Sequence, residues 1–280
     1  MEIDEIRNLP LLPTGIREAI LGAIDEKVTA EILATRLIKD QALESRILKV
    51  ANRYEPEMQV GMTSVLEVAE RLGEETFRDM VVAVSLFGVF GVSATGSLDP
   101  KLFWEHSLAC AWLSQALVAL HGADGAARMF FLAGLLHDCG RLFLNEWFPR
   151  QLAFLAEKTR SEQTPLFELE SALLGCSHSE LGYWMAINWG LPEMVGDAVY
   201  YHHSPGPESE HRMRGAPVHV ADHLCHLRGI GHSGNESIPI LKMGILDLMG
   251  MTAEKCYAVL DGLSGAMVKL SRFLGYFQHD

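Results

Sequence analysis

The chain of 280 residues carries 23 Lys and Arg against 36 Asp and Glu, which gives a formal net charge of −13 at pH 7. With 49% hydrophobic and 21% charged residues, the composition is typical of a soluble globular protein and excludes intrinsic disorder, collagen and a disulfide scaffold. The acidic balance argues against nucleic-acid binding, because contacts with phosphates need a surplus of Lys and Arg. An anionic partner would therefore have to meet a local cationic patch or a metal ion.

Taken in chain order, nearly every segment repeats its apolar residues with the period of an α-helix, and no run alternates as a half-buried strand would. The first helix follows a turn at Leu9–Pro13, and the second runs from about Thr29 to Lys39. A third helix precedes a fourth, which Thr63 or Ser64 caps and Gly73 ends. The apolar positions of the first and third helices are Ile16, Ala19, Ile20, Ala23, Leu43, Ile47, Leu48 and Ala51.

Capping signals mark the later helices. Proline suits the first helical position, and the pairs Asp99-Pro100, Thr164-Pro165 and Leu191-Pro192 each predict a helix start. Ser177 to Glu180 has the spacing of a capping box. Polar loops are predicted at 205–215 and 229–239. We therefore expect an all-α fold, a multi-helix bundle of roughly a dozen helices.

The cellular compartment follows from the cysteines and the chain start. Five cysteines, an odd number without a CxxC pair, are typical of reduced thiols in a cytosolic protein. The acidic start Met1 to Glu5 does not resemble a signal peptide. The charge-free stretch Met80 to Leu98 is long enough to flag a transmembrane helix, but small and polar residues fill its second half. We interpret it as a buried core helix and expect a cytoplasmic protein that does not enter a membrane.

Polar residues on apolar helix faces are the informative feature of this sequence, because exposed apolar residues are common and buried polar ones are not. Several imidazoles and carboxylates share their helix faces with apolar neighbours, and they come from separate helices. These residues are His106, His137, Asp138, His202 and Asp222. A lone histidine in this position is most often a hydrogen-bonded core residue, but a buried carboxylate costs several kcal/mol unless it is paired or metal-bound.

A shared cation would satisfy all of these side chains at once. Nitrogen and oxygen ligands without thiolate favour iron, manganese or zinc, with magnesium as a further candidate, and we expect one or two divalent ions. His178 begins a helix, where the positive end of the helix dipole favours its neutral, metal-binding form. His202 and His203 point about 100° apart on a helix, so both reach one site only if it lies at the helix end.

Residues Leu132 to Arg141 resemble the HD signature of the metal-dependent phosphohydrolases, and the chain as a whole resembles the HDOD (HD-related output domain) family of bacterial signalling proteins. The other matching segments are Leu9–Pro13, Ala51-Asn52, Thr63–Gly73, Phe103–Ser107, Gly175–Gly182, Trp189–Pro192, His202–Pro205 and Val220–Asp222. The resemblance implies an HDOD domain over 8–230, made of an N-terminal helical subdomain (8–98) and an HD-like helical core (99–230). A C-terminal helical extension, 231–280, would pack on that core.

The resemblance also implies a ligand set. Relatives of the HD-GYP type hydrolyse cyclic dinucleotides at a centre of two or three metal ions. The matching positions here are His106, His137, Asp138, His178, His202, His203 and Asp222. Three positions depart from the hydrolase pattern: Arg141 replaces a lysine, 204–207 replaces a Glu and a Gly-Tyr-Pro segment, and Leu102 replaces a glutamate. These departures weaken the case for cyclic dinucleotide hydrolysis more than the case for metal binding.

Two functions are expected from this pattern. HDOD domains are regarded as regulatory output modules, so the first expectation is a signalling protein that retains its metal site. Its partners would be proteins of a signalling pathway or a small nucleotide-like effector, with a homodimer as a further possibility. The alternative is an active metal-dependent phosphohydrolase, in which Asp138 would hold the metal and Arg141 would steady the developing phosphate charge.

A helical metalloprotease is a third interpretation, based on His219, Asp222, His223 and His226, which lie on one helix at offsets of 0, 3, 4 and 7. That motif requires a general-base Glu after its first His, where this chain has Val220. We therefore expect His223 and His226 to lie half-exposed on a helix edge.

Overall fold

The computed structural model describes residues 9–54, 61–90, 98–120, 122, 124–162, 164–235 and 237–273. Sixteen helices and no strand occur in these residues, so the predicted all-α fold is confirmed. The chain divides into two compact units, a smaller one of Leu12–Val92 with Gly265–Asp280, and a larger one of Met1–Leu11 with Ser93–Ser264. The helix count exceeds the expected dozen partly because two helices, α13 and α15, have one turn each.

The smaller unit is built around one buried helix. Its helices are α1 (Thr14–Ile24), α2 (Ala30–Leu37), α3 (Gln41–Tyr54), α4 (Val65–Leu72) and α5 (Glu74–Phe90). Helices α1 to α4 all pack against α5. Between Phe77 and Phe87, every residue of α5 except Asp79 is buried. The described part of the charge-free stretch is therefore a core helix, as predicted.

The predicted elements of this unit are confirmed in detail. The apolar stripe of α1 is buried, the Thr29 side chain caps α2, and the Ser64 hydroxyl accepts a hydrogen bond from Glu67 N at the start of α4. Gly73 ends α4 with a φ of +79°, a conformation that favours glycine. In the described residues, no helix is long and apolar enough to cross a membrane. Part of the charge-free stretch, 91–97, and the acidic chain start lie outside the described residues.

The larger unit contains the remaining helices. They are α6 (Pro100–Ala119), α7 (Asp124–Leu136), α8 (Cys139–Trp147), α9 (Pro149–Glu162), α10 (Leu166–Leu174), α11 (His178–Asn188), α12 (Glu193–Tyr201), α13 (Glu210–Met213), α14 (Ala216–Arg228), α15 (Ile245–Leu248) and α16 (Ala253–Phe273), the last of which begins in this unit. The Ser177 capping box is present at α11. Pro100 is the first residue of α6, whereas Pro165 and Pro192 stand one position before their helices. The loop predicted at 205–215 contains α13, which Ser209 caps.

Two glycines set the spacing of the helices that carry the polar residues. Gly134 of α7 lies against α6, and a Cβ there would come within 2.7 Å of the Ala111 Cα and the Cys110 carbonyl oxygen. Gly140 of α8 lies against the start of α11, where a Cβ would collide with the backbone of His178. Because both contacts are with backbone, neither neighbour can yield easily. These two positions therefore bring α6 close to α7 and α8 close to α11.

Arg78 is a buried charge that connects α5 to the end of α1 and the turn after it. It is 1% exposed, and its guanidinium donates to the backbone carbonyls of Gly22, Ala23, Asp25 and Val28 at the end of α1 and the turn after it. Its Nε donates to the Glu74 carboxylate over 2.9 Å. Carbonyls at a helix C-terminus lack partners within the helix, so Arg78 supplies them.

Replacing Arg78 with Met should lower the free energy of unfolding by about 3 kcal/mol, because buried carbonyls and Glu74 lose their partner. Arg71→Met is the control: Arg71 forms a partly exposed pair with Glu67 one turn away, so its loss should cost about 0.5 kcal/mol. Urea denaturation followed by circular dichroism measures both. Equal losses in the two variants would contradict the role given to Arg78.

Candidate metal centre

The seven residues predicted as ligands lie together in the larger unit. His106 comes from the middle of α6, His137 and Asp138 from the junction between α7 and α8, and His178 from the first position of α11. His202 and His203 follow the end of α12, and Asp222 lies on α14. All are buried except His203, which is partly exposed. Their role as metal ligands stays a prediction, but their convergence on one interior region is a property of the fold.

The first group of candidate ligands is His106, His137 and Asp222, together with Cys110. Their ligand atoms all lie within 4.8 Å of one another. Asp222 Oδ1 is 3.1 Å from His106 Nε2 and 3.8 Å from His137 Nε2. Cys110 Sγ lies 3.7 Å from His106 Nε2. Its imidazoles and carboxylate are the nitrogen and oxygen donors that suit iron, manganese or zinc. Burial raises the pKa of the Cys110 thiol, which favours the protonated form over a thiolate ligand.

The second group is Asp138, His178, His202 and His203, whose ligand atoms also lie within 4.8 Å of one another. Asp138 Oδ1 is 3.1 Å from His178 Nε2 and 4.0 Å from His202 Nε2. The Nε2 atoms of His178 and His203 are 2.9 Å apart. His202 and His203 both reach the group because it lies at the end of α12, which is the position that their spacing in the sequence requires.

Asp138 lies between the two groups. While its Oδ1 faces His178, its Oδ2 is 3.2 Å from His137 Nε2 and 3.9 Å from His106 Nε2. A carboxylate with one oxygen toward each group has the arrangement of a bridging ligand. The two groups therefore form one continuous buried polar cluster, joined by Asp138.

Hydrogen bonds at Nδ1 fix the orientation of four imidazoles. Nδ1 of His137 is 2.7 Å from the Gly134 carbonyl, that of His202 is 2.6 Å from the Val199 carbonyl, and that of His106 is 3.3 Å from the Ile230 carbonyl. His178 Nδ1 lies 2.5 Å from Glu170 Oε2. With Nδ1 as the donor, Nε2 of each ring is the atom that faces the interior. Such outer hydrogen bonds are the usual support of histidine metal ligands.

The carboxylates are held in their charged form. Burial opposes charge on Asp138, but Arg141 and His137 outweigh it and hold the pKa of Asp138 well below its usual value. Burial likewise opposes charge on Asp222, and His226 and His106 hold the pKa of Asp222 well below its usual value. Both carboxylates are therefore available to a cation at neutral pH.

The imidazoles divide into those whose pKa is lowered and those whose pKa is raised. Burial lowers the pKa of His106, His202 and His203. Burial also acts on His137, but Asp138 and Asp222 overcome it and raise the pKa of His137 to about 10. Burial and Arg141 oppose charge on His178, but Glu170 and Asp138 raise its pKa overall, so the neutral form expected from its position at a helix start is not favoured. A metal ligand must be deprotonated, so an ion bound at His137 would take the place of a proton.

Three buried atoms supply the test of whether these residues fit a metal ion. His202 Nε2 has no hydrogen-bond partner among the described residues. His137 Nε2 and Asp138 Oδ1 lie 3.2 Å from Asp138 Oδ2 and 3.1 Å from His178 Nε2, respectively, but form no aligned hydrogen bond there. A buried polar atom without a partner costs about 1–3 kcal/mol, and three in one place need a common explanation. A divalent ion accepts electron pairs from all three atoms. The residues therefore fit the ion that the sequence predicted.

Several residues of this region were not predicted from the sequence. Glu170 of α10 is fully buried and accepts hydrogen bonds from the backbone N and Nδ1 of His178. Its position one turn after Leu166, on the apolar face of α10, is a signal that could have identified it. Ser233 binds Arg141, and its loop position gave no such signal. Cys110, whose Sγ lies among the ligand atoms of the first group, was not predicted either.

Arg141 is buried beside Asp138. It is 1% exposed, and its Nη1 donates to Asp138 Oδ2 over 2.9 Å and to the Ser233 hydroxyl over 2.8 Å. Its Nη2 is 3.4 Å from His178 Nε2. The predicted contact with a substrate phosphate stays a prediction; in this structure the guanidinium contacts the candidate ligands themselves.

The helix that suggested a metalloprotease has another arrangement. His219 Nδ1 donates to the His202 carbonyl, and its Nε2 accepts a hydrogen bond from Lys242 N, so neither nitrogen is available to a metal. His226 lies deeper than expected: its side chain is 11% exposed, and its Nδ1 lies 2.9 Å from Asp222 Oδ1. A cavity of about 320 Å³ opens beside it and is lined by His106, His226, Gly229, Ile230, Gly231, His232, Asn235 and Ile238.

Solved structures share this fold. An HDOD domain protein of unknown function from Geobacter sulfurreducens is 22% identical, with a TM-score of 0.76 over 98% of this chain and 94% of that one. A protein from Marinobacter aquaeolei VT8, provisionally named a signal transduction protein, is 20% identical with a TM-score of 0.81 over 100% of this chain and 62% of that one. A protein from Shewanella amazonensis SB2B, provisionally named a phosphohydrolase, is 22% identical with a TM-score of 0.72 over 97% of both chains.

Sequence comparison leads to the same group of proteins. An uncharacterised protein of Treponema pallidum (strain Nichols) is 23% identical over 201 residues, which are 72% of this chain and 39% of that protein. The chain thus spans about two fifths of the length of this curated relative. The HDOD domain family matches residues 9–205, well over half of the sequence. The chain belongs to the HDOD domain family.

Proposed function

We propose that this protein is an HDOD signalling protein that holds a divalent metal ion among its buried histidines and aspartates. The observation that carries the proposal is a set of buried atoms without an aligned hydrogen bond, His137 Nε2, His202 Nε2 and Asp138 Oδ1, in a region where the other nitrogen of each ring is already hydrogen-bonded. Side chains oriented in this way are ready to bind an ion without rearrangement.

The charges of the region support the same proposal. Asp138, Asp222 and Glu170 are buried carboxylates, and Arg141 is the buried cation beside them. A buried carboxylate is tolerated when it is paired or bound to a metal. A bound ion would stabilise the fold of the larger unit, because it binds the folded state and not the unfolded one.

In the signalling role, the helical body would act by direct contact with a partner protein or a small effector. The family membership supports this role, and the name given to the Marinobacter aquaeolei protein agrees with it. The proposed partners are proteins of a signalling pathway or a small nucleotide-like effector, the proposed location is the cytoplasm, and a homodimer is the proposed alternative to a monomer. The metal would serve as the structural centre of the larger unit.

A metal-dependent phosphohydrolase is the second candidate, and the cavity beside His106 and His226 favours it. When bound, a divalent ion would supply Lewis acidity toward a phosphoryl group. His226 would contact a substrate in the cavity, and Asp222 would hold its ring in place. Arg141 would act on the developing charge through Asp138, which it contacts directly. The name of the Shewanella amazonensis protein agrees with this candidate.

Elemental analysis of the purified protein, dialysed against Mn²⁺ and then against buffer, should find bound metal. His137→Ala should reduce the bound metal at least about tenfold, because it removes a ligand nitrogen. His223→Ala is the control on the same helix as Asp222: its Nδ1 donates to the Pro239 carbonyl, and its loss should leave the metal content unchanged. A wild-type protein without metal after dialysis would contradict the proposal.

Glu170→Gln should lower the free energy of unfolding by about 2–3 kcal/mol, because the change removes the buried charge that pairs with His178. Glu168→Gln, an exposed change on the same helix, should alter it by less than about 0.5 kcal/mol. Urea denaturation of both variants measures the difference. If Glu170→Gln is as stable as the control, Glu170 does not support the centre.

Hydrolysis of bis(p-nitrophenyl) phosphate with added Mn²⁺ separates the two candidate functions. An active phosphohydrolase should release p-nitrophenol, and Asp138→Asn should lower the rate at least about 100-fold because it removes a charged candidate ligand. Bound metal without hydrolysis would favour the signalling role. Activity that survives in Asp138→Asn would exclude this centre as its source.

A further inference from the structure

The turn 202–205, which carries two of the candidate ligands, is held by its backbone carbonyl groups. Three side chains from outside the turn each donate a hydrogen bond to one of these carbonyls. The bonds are His219 Nδ1 to the His202 carbonyl at 2.7 Å, Arg212 Nε to the Ser204 carbonyl at 3.1 Å and Lys242 Nζ to the Pro205 carbonyl at 2.5 Å. The turn follows α12, and carbonyls at a helix C-terminus lack partners within the helix. The three donors supply those partners.

The proton on His219 is placed by the two partners of its ring. The main-chain N–H of Lys242 can only donate, so His219 Nε2, which lies 3.0 Å away, is the acceptor. Nδ1 therefore carries the proton and donates to the His202 carbonyl. Because His219 is 2% exposed, water does not compete for either nitrogen. One buried imidazole thus connects the main chain of Lys242 to the main chain of His202.

The three donors come from three different elements. Arg212 lies on α13, His219 lies on α14, and Lys242 lies in the segment between α14 and α15. Lys242 acts twice, because its main-chain N–H binds His219 while its ammonium binds the turn. The charges of Arg212 and Lys242 also suit the negative end of the α12 dipole. All three residues lie after residue 205, the last one that the HDOD domain family matches.

A small displacement of this turn would change the second group. The ring centroid of His202 lies 5.2 Å from that of His137 and 5.5 Å from that of His178. His203 Nε2 is 2.9 Å from His178 Nε2. Metal ligands must lie within about 0.2 Å of the bond lengths that the ion requires. Hydrogen bonds that fix the backbone of two candidate ligands therefore affect how well the group can bind an ion.

We propose that Arg212, His219 and Lys242 form a carbonyl clamp that sets the positions of His202 and His203 in the second group. The three are positioning residues, since none of them belongs to the groups of candidate ligands. The effect of the clamp on a bound ion rests on the proposed metal centre. The positions of the two imidazoles do not, because they are a property of the metal-free protein.

His223 provides a matched control for His219. Both lie on α14, and both bind the segment that contains Lys242, since His223 Nδ1 donates to the Pro239 carbonyl over 2.7 Å. Only His219 also reaches the turn 202–205. If His219 did no more than attach this segment to α14, the loss of either histidine should have the same effect.

The test follows the imidazole proton and nitrogen resonances of His202 and His203 in metal-free protein, assigned with His202→Gln and His203→Gln. His219→Leu removes both hydrogen bonds of the ring and should shift these resonances. His219→Gln keeps one donor and one acceptor and should restore them. His223→Leu should leave them unchanged. In Mn²⁺ titrations, His219→Leu should weaken binding about tenfold, and His219→Gln should bind as the wild type does.

Lys242→Met tests the clamp at a second contact. It removes the bond to the Pro205 carbonyl and keeps the main-chain bond to His219, so it should shift the resonances of His203. Lys255→Met, a change at an exposed lysine of α16, is its control and should not. If circular dichroism shows that His219→Leu is unfolded, Lys242→Met decides the inference.

Unchanged resonances of His202 and His203 in folded His219→Leu and Lys242→Met would overturn the clamp. Equal shifts in His223→Leu would also overturn it, because the effect would then come from the attachment of the segment alone. If the wild type binds no Mn²⁺ while the resonances still shift as expected, the proposed metal centre fails and the clamp stands.

Discussion

The larger unit depends on keeping two carboxylates, Asp138 and Asp222, charged in its interior. Water cannot solvate them there, so the surrounding imidazoles and Arg141 must do so. Backbone carbonyls and Glu170 orient those imidazoles in turn. The helices of this unit therefore surround a buried polar cluster. The packing of their apolar faces against one another positions the ring nitrogens in that cluster.

The same constraint explains why two different functions fit one structure. An oriented set of nitrogen and oxygen donors can serve as a structural centre or as a reactive one. Which of the two it is depends on whether a substrate can reach it and on the net charge of the buried residues around it. The cavity is lined by His106, and the Arg141 guanidinium contacts both Asp138 and His178. Whether the proposed centre is structural or reactive therefore depends on the residues around the candidate ligands as well as on the ligands.

The sequence predicted those features whose signals are local. Helix period, the Ser177 capping box and polar residues on apolar faces each depend on residues close together in the chain, and they predicted the all-α fold and the convergence of His106, His137 and Asp222. The role of Ser233 and the burial of His226 depend on contacts between distant segments, so no local pattern revealed them. The role of Glu170 also depends on such a contact, although its place on an apolar helix face was a local signal. The one-turn helix α13 was missed because its polar sequence is typical of a loop.

Gly134 and Gly140 have a consequence for how this protein tolerates change. Neither has a side chain that could bind anything, yet each sets the separation of two helices that carry candidate ligands. An added methyl group at either position would widen that separation. Substitutions at these two glycines should therefore disturb the centre even though neither glycine can bind an ion. A search for functional residues that considers only possible metal ligands would miss both positions.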